Sequence, residues 1–279
     1  MDKEIRQREK EAKRAAKAAH RAAKQAHRAV KYQEPVVVKG RTPGAPVDCA
    51  CVIHGSGYDW QYVERLYNML CINLDAKIQM HVYTEHDRSV PPHMTKHILE
   101  DWGISGPKRS WWYKMQLFNP AHFSGDLLYF DLDVVIANSL NWVPKHTTDH
   151  FWTIRDFRYL QRRDIVIINS SMMWFNVNKF GWVWDKFSQA DFLKTIKSYP
   201  GDQDYLNAVL DVNQRRFFDD AHFESFRWQC LDGGYDFFKR RHLQPGKGVV
   251  IQPDTSVVVF HGSPKPHEST DPVIKQLWQ

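Results

Sequence analysis

Between Asp48 and Thr84 the chain reads strand, helix, strand in immediate succession, and few folds accommodate that order. Asp48–His54 is a short apolar run ending in the turn His54-Gly55-Ser56-Gly57, and Trp60 to about Leu74 carries apolar residues at helical spacing. Ile78–Thr84 is strand-like again. Two strands joined through a helix pair in parallel, so the expected architecture is α/β with a mostly parallel sheet and a ligand at the carboxyl ends of its strands. Further strands are expected at Leu127–Phe130, Phe151–Ile154, Ile165–Ile168, Met172–Phe175 and Val257–Phe260. Helices are expected at Met94–Trp102, Trp111–Phe118, Val183–Ile196 and Asp202–Leu210. With 279 residues, 43% of them apolar, the chain can bury a sizeable core in one large domain or two small ones.

The segment Gly125-Asp-Leu-Leu-Tyr-Phe-Asp131-Leu-Asp133-Val-Val-Ile136 sets two carboxylates inside an otherwise apolar run. Burying charge without a partner is strongly unfavourable, so something must neutralise the pair. Alternation along an extended segment sends Asp131 and Asp133 to one face while Leu132 points to the core. Hard oxygen ligands so arranged suit Mg²⁺ or Mn²⁺, which commonly reach a protein through one or two carboxylates plus substrate phosphates. The competing reading is a strand-end turn with both aspartates bonded to backbone amides.

Three more segments carry polar groups at informative places. Ile168-Asn-Ser-Ser-Met-Met-Trp-Phe-Asn176 sets Asn169 and Ser170 at the edge of an apolar run. Gly201-Asp-Gln-Asp-Tyr-Leu-Asn207 opens a helix, where Asp202 suits the cap and Asp204 the first turn, leaving Gln203 unexplained. Val257-Val-Val-Phe-His-Gly-Ser-Pro-Lys-Pro266 ends a strand on His261 and Lys265. Taken in order with Leu127–Ile136, these segments resemble the motifs of nucleotide-sugar glycosyltransferases of the GT-A fold, most nearly glycosyltransferase family eight, across roughly residues 47–267.

The resemblance implies a GT-A-like single domain with a mostly parallel, Rossmann-like mixed sheet. It also implies transfer of a sugar, with retention, from a nucleoside-diphosphate sugar (a UDP-sugar first) to an acceptor hydroxyl. On it, Asp131, Asp133 and His261 would hold Mn²⁺ or Mg²⁺, the imidazole favouring Mn²⁺. Lys265 would face the pyrophosphate and stabilise the leaving group, and Lys114, in Trp111–Phe118, would contact the donor. Asn169 and Ser170 would hydrogen-bond sugar hydroxyls; Asp202 and Gln203 would lie beside the donor sugar as binding or catalytic groups. Simple turns and a satisfied core histidine are the competing explanations of these residues.

Residues 1–34 hold 11 Lys/Arg against 5 Asp/Glu, while the rest of the chain carries 27 of each sign, so the whole net charge of +6 lies in one arm. A heptad-spaced pattern places Lys10, Arg14, Lys17, Arg21, Lys24, Arg28 and Lys31 along one stripe of an alanine-rich helix. Its opposite face lacks the bulk to enter a bilayer, which favours a polyanion such as DNA by counterion release, with a merely solvated helix as the competing reading. The expected layout is a basic helical arm at 1–34, a linker at 35–47 and the catalytic domain at 48–279. DNA bearing hydroxylated bases, as in glycosylated phage genomes, is the first acceptor expected; bacterial lipopolysaccharide or another surface glycan is the alternative. A non-catalytic nucleic-acid-binding protein is the reading from another class.

Four scattered cysteines give no CxxC pair, arguing against structural zinc and for a reducing compartment. No apolar stretch reaches membrane-spanning length and no signal peptide is evident, so the expected location is the cytoplasm, that of the host if phage-encoded, with peripheral membrane contact left open. The lone Gly55-Ser56-Gly57 lacks phosphate-loop spacing, and no GxSxG, HExxH or kinase signature occurs. Aromatic residues make up 14%, a supply that serves sugar rings and bases equally.

Overall fold

A computed structural model describes residues 46–104 and 110–279. The basic arm, with Lys10, Arg14, Lys17, Arg21, Lys24, Arg28 and Lys31, and all but the end of the linker lie outside the described residues. Strand β1 starts at Val47, one residue before the expected boundary.

The central sheet has seven strands in the order β3-β2-β1-β4-β7-β6-β8: β1 Val47–Val52, β2 Ile78–Thr84, β3 Met94–Ile98, β4 Asp126–Phe130, β6 Phe151–Arg155, β7 Ile168–Asn176 and β8 Arg215–Phe217. β3, β2, β1 and β4 run parallel, and β7 is antiparallel to both β4 and β6. Helix α1, Trp60–Asn73, makes the expected crossover from β1 to β2. A small sheet of β5 Val134–Ile136, β12 Val257–Val259 and β9 Phe223–Ser225 packs beside it, and β10 Tyr235–Asp236 with β11 Arg241–His242 makes a hairpin. The remaining α-helices are α2 Val177–Phe180, α3 Trp182–Ser188, α4 Phe192–Ser198, α5 Asp202–Val209 and α6 Pro272–Leu277.

Both faces of the central sheet are covered, which is why its strands read as nearly continuous apolar runs. Alternate residues feed two cores. Leu128 and Phe130 of β4 and Met172 and Trp174 of β7 join α1 and the small sheet. Leu127 and Tyr129, with Met173 and Phe175, join the residues from Trp112 to Phe118 and the helices after β7. No helix among the described residues is long and apolar enough to cross a membrane.

Four local expectations are corrected. Met94–Trp102 is not a helix: Met94–Ile98 pairs in register with Met80–Thr84, because the open edge of β2 offers backbone partners that a weak helical period cannot match. The segment 110–118 winds as a 3₁₀ helix, with every side chain from Trp112 to Phe118 buried, so it has no wet face to set an α-helical period. The stretch Val183–Ile196 breaks into α3 and α4 because Asp191 caps the second, accepting from Lys194 N at 3.1 Å. Finally, Ile165–Ile168 and Met172–Phe175 are not separate strands. β7 runs through Asn169-Ser170-Ser171 and bulges there: Thr153 faces Met173 while Ile154 faces Asn169. The Thr153 hydroxyl closes the bulge on the carbonyls of Asn169 and Met172 at 2.7 and 3.1 Å.

Candidate active site

From β1 the chain winds outward through β2 to β3, then returns to place β4 on the other side of β1. That reversal opens a crevice at the carboxyl ends of the two strands, where ligands of open α/β sheets bind. A cavity of about 620 Å³ lies there, within the usual range for ligand pockets. His54, Gly57 and Tyr58 after β1, Asp131 and Asp133 after β4, Asp202, Gln203 and Asp204 at the start of α5, and Lys114 and Lys265 all line it.

The aspartate pair lies where the chain passes from one sheet to the other. Asp131 N donates to Ser171 O at 2.8 Å, extending the β4–β7 pairing, whereas Asp133 O accepts from Phe260 N at 3.0 Å, extending β5–β12. Asp131 to Asp133 therefore forms a turn rather than the expected extended run. Leu132 is still buried in the core, and both carboxylates still line the cavity.

Each carboxylate has its own ammonium. Lys114, its side chain only 5% exposed, lies 2.8 Å from Asp131 Oδ1, 3.1 Å from Asp202 Oδ2 and 3.1 Å from Ser170 Oγ. Ser170 Oγ in turn donates to Asp202 Oδ2 at 2.6 Å. Burial alone would lower the Lys114 pKa, but the charges of Asp131 and Asp202 outweigh it and hold the ammonium above its ordinary value. The bulge in β7 is what turns Ser170 into this cluster, and Gly201, not Asp202, occupies the helix-capping position. Asp202 is thereby free of the capping role and joins Asp131 through Lys114.

On the other side, Lys265 forms an ion pair with Asp133, and Tyr58 donates its hydroxyl to the same carboxylate oxygen at 3.0 Å. Burial raises the Asp133 pKa, and the neighbouring charge of Asp131 raises it further against the pull of Lys265 and Tyr58. The Tyr129 hydroxyl donates to Asp131 Oδ1 at 2.6 Å; burial and then that carboxylate raise its pKa. Tyr58 and Tyr129 escape the sequence reading. Tyr129 stands two residues before Asp131 in the same strand pattern, a signal that could have found it.

Asn169 accepts from Ser171 N at 2.9 Å and so shapes the bulge. Gln203 lines the cavity, with its amide 3.4 Å from Asp156. His261 is directed elsewhere: its Nε2 meets Ser225 Oγ at 2.5 Å, and its ring lies between Phe157 and Trp228 at 5.7 and 4.6 Å. Burial lowers its pKa to about 4. Among the described residues no three His, Cys, Asp or Glu side chains converge as a ligand set, so the expected trio of Asp131, Asp133 and His261 is not gathered here. Ser225 supplies the polar partner that a half-buried imidazole needs.

No protein-family model matches this chain, and no curated protein matches it in sequence. Solved structures resemble it in three dimensions. The galactosyltransferase LgtC, solved in complex with donor and acceptor sugar analogs, aligns with a TM-score of 0.55 at 13% identity over 83% of this chain and 94% of its own. The glycosyltransferase GlyE of Streptococcus pneumoniae aligns with a TM-score of 0.58 at 13% identity, over 83% of this chain and 60% of that one. The bifunctional glycosyltransferase WbbM gives 0.53 at 12%, over 84% and 51%. The body is a single α/β domain of the GT-A-like architecture, as the resemblance of its motifs implied.

Proposed function

We propose that this chain is a glycosyltransferase of the family-eight type, moving a sugar with retention from a nucleoside-diphosphate donor, a UDP-sugar first, to an acceptor hydroxyl. The observation that carries the reading is the Asp131/Asp133 pair at the carboxyl end of β4, set into a cavity at the switch point and flanked by two lysines. The glycosyltransferase neighbours support it at the level of fold.

The aspartates fit a divalent cation. They are hard oxygen donors, their side chains are 25% and 13% exposed, and two like charges are held close enough for Asp131 to raise the pKa of Asp133. Asp131 and Asp133 would hold Mn²⁺ or Mg²⁺, with the remaining ligands from the diphosphate and water. Such an ion neutralises charge on the departing diphosphate. Lys265 stands beside Asp133, where its ammonium meets that same developing charge. Lys114 fixes Asp131 and Asp202 relative to each other, and Ser170 holds the second of these. Gln203, at the cavity end of α5, lies beside the donor sugar.

The first acceptor in this reading is DNA with hydroxylated bases, supported by the confinement of the whole net charge to residues 1–34. The alternative is a bacterial surface glycan. The test is release of free nucleoside diphosphate from a panel of nucleotide sugars with Mn²⁺, offering water, hydroxymethylated DNA and lipopolysaccharide core as acceptors. Asp131→Asn/Asp133→Asn lowers release by more than about 100-fold, beyond what loss of a ligand's supporting hydrogen bond costs. Cleavage of no donor by folded protein, or equal cleavage by the variant, contradicts the reading.

A further inference from the structure

The β10–β11 hairpin packs through Trp228 toward His261, the chain neighbour of the cavity-lining Gly262. Its inner face is aromatic. The ring of Tyr235 lies 5.3 Å from Phe237 and 5.2 Å from His242, and Phe237 lies 5.3 Å from Trp228, whose ring meets His261 at 4.6 Å. Phe237 and Phe238 lie in the turn between the two strands, and there Phe238 is fully exposed. The ring is presented by a built turn: Asp236 Oδ1 accepts from the backbone N–H groups of Phe238 and Lys239 at 3.0 and 2.9 Å. Lys239, Arg240 and Arg241 follow, all exposed. From Phe237 to Lys247 the chain carries four Lys/Arg and no acidic residue.

We propose that this hairpin docks a nucleic-acid strand, with Phe238 stacking on a base and Lys239, Arg240 and Arg241 on phosphates. Only the identification of that strand as the acceptor rests on the glycosyltransferase reading. A planar ring beside cations is a combination by which proteins hold single strands without regard to sequence. It also suits an enzyme that must open a duplex to reach a base. A bilayer is the weaker fit. Even a whole acyl chain gives only marginal anchoring, and beyond Phe238 the outward face offers little more than the 58% exposed Leu243. Charge complementarity therefore selects a polyanion with faces to stack on.

The experiment is fluorescence anisotropy of labelled single-stranded and duplex DNA with the full-length chain, across a salt series, beside co-sedimentation with phosphatidylserine vesicles. Phe238→Ala weakens single-strand binding roughly 5- to 150-fold with an unchanged salt slope. Lys239→Ala/Arg240→Ala/Arg241→Ala flattens the plot of log K against log salt by about 2. Donor binding by calorimetry, measured without DNA, stays at the wild-type value in both. Equal DNA affinity in wild type and both variants overturns the proposal. So does hairpin-dependent binding to vesicles with none to DNA. Failure of the wild type to bind any donor, with the DNA effects intact, strikes the glycosyltransferase reading and leaves the hairpin assignment standing.

Discussion

Replacing Lys114 by methionine keeps most of the side chain's length and removes its charge. The ammonium is buried between Asp131, Asp202 and Ser170, and the side chain of Asp202 is itself only 6% exposed. Removing one partner of a buried ion pair leaves an uncompensated charge and costs about 3–5 kcal/mol. That is a large share of the roughly 5–15 kcal/mol by which a domain is stable. At about 2–4 °C per kcal/mol for a body of this size, Lys114→Met should melt roughly 6–20 °C below wild type. Because the folded Lys114 pKa is raised, its contribution is fully present below the ordinary value of 10.5 and fades only as pH rises through the higher folded one. The loss is therefore constant between about pH 6 and 9. Adding Asp202→Asn removes the stranded charge, and the double variant should recover about 0.5–3 kcal/mol over the single one, the range of direct couplings. Thermal melts and urea titrations of the three variants read this directly. A Lys114→Met protein melting within about 2 °C of wild type, or a double variant less stable than the single one, refutes the idea of a charge-locked pair.

Three further outcomes follow from the same geometry. Burial and the neighbouring His81 and His122 lower the His97 pKa to about 4, as burial does for His261, so the unfolded chain takes up protons first as pH falls from 6.5. Stability conferred by the neutral rings is present above pH 6.5 and lost down to about 4, and His97→Gln/His261→Gln should flatten that limb of the urea midpoint against pH. Tyr58→Phe deletes a hydrogen bond to a charged acceptor, worth about 1.5–3 kcal/mol, and should weaken donor binding while Lys265 still covers Asp133. On the proposed function, Gln203→Ala should lower kcat while leaving UDP affinity within about threefold, because an amide beside the donor sugar would act on transfer and not on the diphosphate.

The sequence makes Asp131 and Asp133 legible because carboxylates inside an apolar run have few physical explanations. Asp202 and Ser170 are legible as polar residues beside apolar runs, but that they bond each other directly and share Lys114 depends on a β-bulge that single-sequence periodicity does not register. Lys114 itself reads as a donor contact; its burial turns it toward two aspartates. His261 carries the right residue type at the right place in the chain, yet Ser225 engages it, and a strand as short as β9 gives little pattern by which to foresee that. The β3 edge was hidden for a related reason: its partner is β2, not its own sequence.

On the proposed function, this cavity holds a nucleoside diphosphate through Asp131 and Asp133. Calorimetric titration of UDP into the full-length chain, with and without Mn²⁺, tests it most directly. Binding that needs Mn²⁺ and disappears in Asp131→Asn/Asp133→Asn, with the variant's circular dichroism unchanged, is the predicted result. UDP binding that ignores both Mn²⁺ and the aspartates, or no binding by UDP, GDP or CDP to folded protein, contradicts it.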